Sequence, residues 1–344
     1  MSESPGPAAR ALSEEPSQQP AGGPGRAVRY AFLGPAGTFA HAAARNLVAS
    51  NTAPSTEPAG SAPELVPYGT VTLAIDALRA DEVDGALVPL ENSVEGAVPA
   101  TLDELAGGSP LVIAAETFLP VVFDLLARPG TELADIATVA THPHAEAQVR
   151  RFLLTQLPRA TVAMVGSTAG GAKAVSAGQY DAAVAPPVAG ELYGLNSLAR
   201  DIADHNGAVT RFVLLTRPRA PQARTGNDRT TLVTTLREDH AGALLEILTE
   251  FSTRGVTLTR IESRPTKGRL GQYSFSIDCD GHILDARVGD AIAALHRVCA
   301  DVRYLGSYER RDGIGAGAGT GRADSDFAEA AAWLSEIRTT GRAV

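Results

Sequence analysis

The stretch YGTVTLAIDALRADEVDGALVPLENSVEG, residues 68–96, aligns without a gap with VGSTAGGAKAVSAGQYDAAVAPPVAGELY, residues 165–193. Thr70 falls on Ser167 and Asp84 on Asp181. Each block reads as a helix feeding a short apolar strand, GALVPL or AAVAPP, that ends in a polar or proline turn. Upstream of each block the pattern repeats again. VRYAFLGPAGTFAHAAARNL (28–47) and IATVATHPHAEAQVRRFLL (136–154) both run strand, polar loop, helix. Two similar α/β lobes follow, at about residues 28–105 and 110–199.

The strand GAVTRFVLL (207–215) comes after both lobes. Residues 200–216 are therefore expected to return to the first lobe and to cross the seam between the two. Ligands of open α/β sheets sit at strand ends and in the cleft of two-lobed proteins. Thr210 and Arg211 stand where such a strand would meet the cleft.

The rest of the chain separates by composition. Residues 1–27 are Pro, Gly, Ala, Ser and Glu with almost nothing to bury, and read as a disordered tail. Residues 217–228 form a polar linker. Residues 229–308 then read strand, helix, strand, strand, helix, strand, a βαββαβ unit of the ferredoxin-like kind. Residues 309–344 hold a glycine-rich spacer and an amphipathic helix presenting Phe327, Leu334 and Ile337, expected to dock on this or a neighbouring subunit.

Across 344 residues the formal charge is −9 and the pI near 5.3, which argues against a nucleic-acid or anionic-membrane partner. No window is apolar enough for a membrane span, and no signal core opens the chain, so a cytoplasmic protein is expected. Cys279 and Cys299 are too few for a zinc site or a disulfide framework. His142 and His144 lack a nearby ligand set, and the glycines at 313, 315, 317 and 319 are followed by no second strand, so neither a metal nor a dinucleotide cofactor is expected.

Two loops suit an anion. GPAGTF (34–39) and STAGGA (167–172) put small residues at strand-to-helix turns, where backbone N–H groups and the positive helix end meet a ligand. Two cradles facing one cleft fit a dianion. Glu91 and Asn92 follow a buried strand and stand at its exposed end, although a turn with a helix cap explains them equally.

Eight stretches, YAFLGPAGTF, VPLENSVEGAV, HPHAEAQVRRFL, STAGGAKAV, AAVAPPVAGELYGL, TRFVLL, GALLEIL and ESRP, occur in one order across residues 28–308. In these the chain resembles the prephenate dehydratases that carry a C-terminal ACT regulatory domain. The resemblance implies a two-lobed catalytic domain of the periplasmic-binding-protein type. It implies conversion of prephenate to phenylpyruvate without a cofactor, control by phenylalanine, and a homodimer or homotetramer. It places Thr210, Arg211 and Glu91 at the chemistry. It places Gly37, Thr38, Asn92, Ser93, Thr141, Gln148, Ser167, Thr168 and Phe212 around the substrate. It places Gly242, Ala243, Leu244, Leu245, Glu262, Ser263, Arg264 and Pro265 at the effector. Ala40, Ala208 and Ala241 stand where the family commonly has Ser or Thr, Asn, and Pro. An arogenate dehydratase and a non-catalytic amino-acid sensor are the alternatives. For Arg211 two roles stay open: a carboxylate partner, or a strut under the cleft. A chain ending near residue 226 is expected to keep catalysis and lose the effector response.

Overall fold

Aligned residues of the internal repeat make the same local contacts. Thr70 Oγ1 accepts Leu73 N–H at 3.1 Å and Ser167 Oγ accepts Gly170 N–H at 2.9 Å, each capping a helix. Asp84 accepts Arg29 N–H at 2.8 Å, and Asp181 accepts Thr138 N–H at 2.9 Å, each tying the end of a helix–strand unit to the central parallel strand of its lobe. The computed structural model describes residues 27–50, 62–205, 207–266, 273–313 and 323–341. Nearly all of the expected tail, and Gly315, Gly317 and Gly319, lie outside the described residues.

The first lobe contains β1 (Arg29–Leu33), α1 (Phe39–Ala49), β2 (Glu64–Tyr68), α2 (Val71–Arg79), β3 (Gly85–Asn92), β4 (Gly96–Ala97), α3 (Pro99–Ala106) and β5 (Val112–Pro120). The second contains β6 (Asp124–Ala127), β7 (Thr138–Thr141), α4 (Pro143–Gln156), β8 (Thr161–Met164), α5 (Thr168–Ser176), β9 (Ala182–Ala185), α6 (Pro187–Tyr193) and β10 (Asn196–Ala199). Next, β11 (Val209–Thr216) enters the first sheet, giving the order β2-β1-β3-β11-β5, against β8-β7-β9-β6-β10 in the second. Three parallel strands followed by antiparallel ones recur in both.

One boundary needs correction. Residues 112–120, expected in the second lobe, form β5 and pair with β11 from Val209↔Pro120 to Thr216↔Val112. The chain crosses between lobes after β5 and again before β11. A run such as VIAAETFLP fits either sheet by its pattern, and only the partner strand decides.

The C-terminal domain is β12 (Asp228–Thr235), α7 (Ala243–Ser252), β13 (Leu258–Pro265), β14 (Tyr273–Asp280), α8 (Ala286–Val298) and β15 (Asp301–Glu309), an antiparallel sheet in the order β13-β14-β12-β15. Helices α7 and α8 cover one face around Ile247, Phe251, Ile277 and Leu295. The other face rests on the first lobe, where Val233, Leu305 and Tyr308 share a core with Leu78, Leu90, Leu102 and Ile113. This shared core removes the expectation that a chain ending near residue 226 folds and turns over normally. Without those residues the apolar underside of β3, β5 and β11 would face water.

A last helix, α9 (Asp324–Thr340), begins beside α8. Asp324 accepts Ala286 N–H at 2.8 Å and pairs with Arg224. Along the expected stripe Phe327 and Ile337 are half-buried, whereas Leu334 and the neighbouring Trp333 are exposed, so this chain covers the stripe only in part.

Closest of all is the approach of β15 to β5 at Gly306, where φ is +123° and an added Cβ would sit 2.5 Å from the Ile113 carbonyl oxygen. Backbone cannot yield there as a flexible side chain would. Gly306→Ala is expected to destabilise the protein by about 1–3 kcal/mol. Gly69→Ala, where a Cβ meets nothing within 4 Å, should stay within about 0.5 kcal/mol. Thermal unfolding of the two variants checks the difference.

Candidate active site

The cleft is built from helix starts. Thr38 caps α1, and its one hydroxyl proton lies between the Leu33 and Pro35 carbonyls while its oxygen accepts His41 N–H. Neither α1 nor α5 has an acidic residue in its first turn, so the positive end of each helix is uncompensated. The two ends face one another. Gly37, at φ +90°, lies so near α5 that a Cβ would stand 3.3 Å from both the Ala169 methyl and the Tyr193 ring. Tyr193 donates to the Ala36 carbonyl at 3.2 Å, and Arg45 pairs with Glu191 at 3.0 Å, both across the lobes. Gly37 supplies this turn and not a free donor, because its N–H goes to His41 Nδ1 at 3.1 Å. Burial, aided by Arg45, lowers the His41 pKa and favours the neutral ring that can accept it.

At the strand ends the geometry is tighter. Asn92 Oδ1 accepts the Val94 and Glu95 N–H groups at 2.8 and 3.0 Å, which fixes its amide so that Nδ2 donates to Thr210 Oγ1 at 2.8 Å. Thr210 therefore accepts from protein and keeps its own proton for something else. Ser93 and Val209 exchange two further hydrogen bonds, each 2.9 Å, which hold the end of β3 to the start of β11.

In the second lobe Thr141 is fully buried and donates to the Val184 carbonyl at 3.1 Å. Ser167 Oγ serves the α5 cap, and Thr168 opens that helix. Gln148 reaches across the cleft to Glu95 at 3.1 Å, where His144 also meets Glu95 at 3.3 Å. His142 caps α4 through its ring nitrogen. Glu95 lies in the quoted motif, and the sequence reading passed over it.

Arg211 and Glu91 are placed differently from expectation. Successive strand residues point to opposite faces. Thr210 pairs across with Asn92 on one face, and Arg211 with Glu91 on the other. Arg211 is 3 % exposed and points at the C-terminal domain. It donates to Glu116 of β5 at 2.8 Å, to Asp278 of β14 at 2.5 Å and to the Tyr308 hydroxyl at 2.8 Å. The strut is thus the role it takes. Glu91 stands 3.6 Å from Arg260 of β13. Phe212 is corrected as well, since it is buried in the core under α1 with Tyr30, Phe32 and Leu214.

The network around Arg211 continues. Arg229 donates to Glu116 at 2.6 Å, and Arg260 binds both oxygens of Asp278 at 3.0 and 3.1 Å. Thr231 donates to Asp278, so the 2.6 Å contact between Thr231 and Tyr308 is a hydrogen bond donated by the tyrosine. Burial alone would lower the Arg211 pKa, but Asp278, Tyr308 and Glu116 outweigh it and hold the cation. Burial would likewise raise the Asp278 pKa, and the Arg211 and Arg260 guanidinium groups hold that carboxyl far below its usual range. No spacing in the sequence signals this cluster, because its members come from six strands and two domains.

The expected effector residues divide along β13. Ser263 and Pro265 are exposed on the helix-covered face of the sheet, Leu244 and Leu245 are exposed on α7, and Gly242 opens α7 at φ +97°. Ala243 is buried in the domain core. Arg264 faces the other way and pairs with Asp103 of α3 at 3.0 Å, so it is a second strut and not a free ligand group.

Residues 30–220 match the family model described as prephenate dehydratase, and residues 230–297 match that of the ACT domain. A prephenate dehydratase of Amycolatopsis methanolica is 48% identical over 312 residues, covering 90% of this chain and 98% of that protein. Among solved structures, the prephenate dehydratase of Arthrobacter aurescens in complex with L-Phe is similar at a TM-score of 0.81 and 47% identity, covering 91% of this chain and all of that one. A chain described as a quorum-quenching acylase, GqqA, is similar at a TM-score of 0.70 and 30% identity, over 82% of this chain and 98% of that one.

Removing one partner from the buried network leaves charges unpaired. Asp278→Asn is expected to destabilise the protein by about 3–5 kcal/mol at neutral pH. The depressed folded-state pKa makes the Asp278 contribution full above the ordinary aspartate value of about 3.9, and it is lost as pH falls below that value towards the folded one. The gap between wild type and Asp278→Asn in urea unfolding should therefore be widest near pH 7 and narrow below about pH 4. A gap independent of pH would contradict the assignment.

Proposed function

The chain belongs to the prephenate dehydratase family, and on that premise we propose that Thr210 is its hydroxyl donor to the leaving group. The protein is a carbon–oxygen lyase that converts prephenate to phenylpyruvate, carbon dioxide and water, with an ACT domain behind its catalytic domain. As the bond from the ring to its carboxylate breaks, that electron pair moves through the ring and expels the hydroxyl opposite. Aromatisation drives the step, and hydroxide is the poor leaving group. One added proton turns it into water.

The observation that carries the proposal is the fixed Asn92–Thr210 hydrogen bond. It occupies a lone pair of Oγ1, leaves the Thr210 proton to donate, and steadies the oxygen as charge builds on it. A threonine pKa is far too high for free ionisation, so Thr210 works as a positioned donor or relay. The helix ends of α1 and α5 would meet the two carboxylates. Gln148 would bind one of them by exchanging Glu95 for it. Glu91 is left out of the chemistry, because it lies on the face of β3 opposite Thr210.

For the effector, the groove between α7 and β13 supplies half a site. The N-terminal end of α7 at Gly242 suits an amino-acid carboxylate, and the exposed Leu244, Leu245, Ile261 and Tyr273 suit an aromatic ring held against a second copy of the chain. The L-Phe complex of the Arthrobacter aurescens relative supports phenylalanine in that role.

Thr210→Ala should lower kcat by about a hundred- to ten-thousand-fold with KM little changed, and Thr210→Ser should recover most of it. Near-normal turnover by the alanine variant would remove the assignment. L-phenylalanine should raise the Tm of the intact protein. Gly242→Val should abolish that rise, and a rise that survives would put the effector in the cleft.

A further inference from the structure

We infer that Arg260 is a positioning residue for the dehydration, through which the ACT domain sets the Asn92–Thr210 pair. Three observations meet at this side chain. Its Nε and Nη2 hold Asp278, with Nη2 also donating to Ser276 at 2.8 Å, while Nη1 is buried without a hydrogen-bond partner. Its Nε lies 3.6 Å from the Glu91 carboxylate, just beyond a hydrogen bond. Glu91 is the residue before Asn92, and the β3–β11 register slips between Arg211 and Phe212, directly beside both pairs.

The Arg260 Nε is already given to Asp278 at 3.0 Å, and the Glu91 carboxylate 3.6 Å away can come to share it when the end of its strand shifts, because a guanidinium attracts a second carboxylate. A bulge is where a strand re-aims its side chains at little cost to the ladder. Drawing Glu91 towards Arg260 turns the end of β3 and moves the Asn92 amide relative to Thr210. The two arrangements differ in one charge-assisted hydrogen bond, which is enough for a bistable element.

The same strand faces the effector groove. Residues of β13 alternate, so Ile261, Ser263 and Pro265 are exposed on the helix-covered face while Arg260 and Arg264 hold Asp278 and Asp103. A ligand that moves β13 on one face moves Arg260 on the other. This last step rests on the reading that the effector occupies the α7–β13 groove.

The test compares wild type, Arg260→Lys, Glu91→Gln and the double variant in kcat and KM, with L-phenylalanine binding measured separately by calorimetry. Lysine keeps the charge beside Asp278 but loses the fork that reaches two carboxylates. Each single change should alter kcat by about three- to thirty-fold with KM within about threefold, and the double variant should go no further than the larger single effect. In Glu91→Gln, phenylalanine should still bind while its effect on kcat disappears. Kinetic effects that multiply in the double variant would overturn the link, as would Arg260→Lys turning over within about twofold of wild type. If Arg260→Lys fails to fold, Glu91→Gln decides alone: a phenylalanine effect equal to that on wild type refutes the link. If wild type binds no phenylalanine, the effector reading fails and the kcat cycle still decides the Arg260–Glu91 contact.

Discussion

A guanidinium 3 % exposed cannot stay charged in a protein interior unless acceptors surround it, and Arg211 meets that condition by drawing on both domains. Glu116 comes from the neighbouring catalytic strand, Asp278 and Tyr308 from the C-terminal sheet. Each of those acidic groups then binds a second arginine, Arg229 or Arg260. The charges balance only while the C-terminal sheet lies against β11. Catalytic strand and regulatory sheet are therefore one packed unit, with Leu305, Val233 and Tyr308 completing the apolar part of the same interface.

The pleat of a strand lets one short segment serve two purposes. Along β11, Thr210 turns to the cleft and Arg211 to the ACT domain. Along β13, Ser263 turns to the groove beside α7 and Arg264 to α3 of the catalytic domain. Because the backbone is shared, neither face is mechanically independent of the other. Arg260 of β13 stands 3.6 Å from Glu91 of β3, and there an event in the groove has a physical route into the catalytic domain.

Within the site, legibility followed locality. Thr38, Thr70 and Ser167 cap helices, and a cap is decided within a few residues of chain. Asn92 and Thr210 were visible because polar residues at the end of an apolar strand stand out against it. Phe212 was misplaced because a motif carries no information on which of its residues face inward. Glu95 was missed because a single acid in a loop has no pattern until Gln148 and His144 come to meet it.

By itself the sequence determined the two α/β lobes, the return of β11 to the first of them, the βαββαβ domain and the family resemblance. All of these are written in periodicity, turn chemistry and repeated spacing, which act between neighbours in the chain. Tertiary structure alone decided that β5 belongs to the first sheet, that Arg211 faces away from the cleft, and that Asp278 and Arg260 stand behind Thr210. Those outcomes depend on which strands pair and which faces are covered. Burial and charge neutralisation settle them between residues separated by 67 to 113 positions, as in Arg211–Asp278 and Arg229–Glu116, and no local pattern records such a choice.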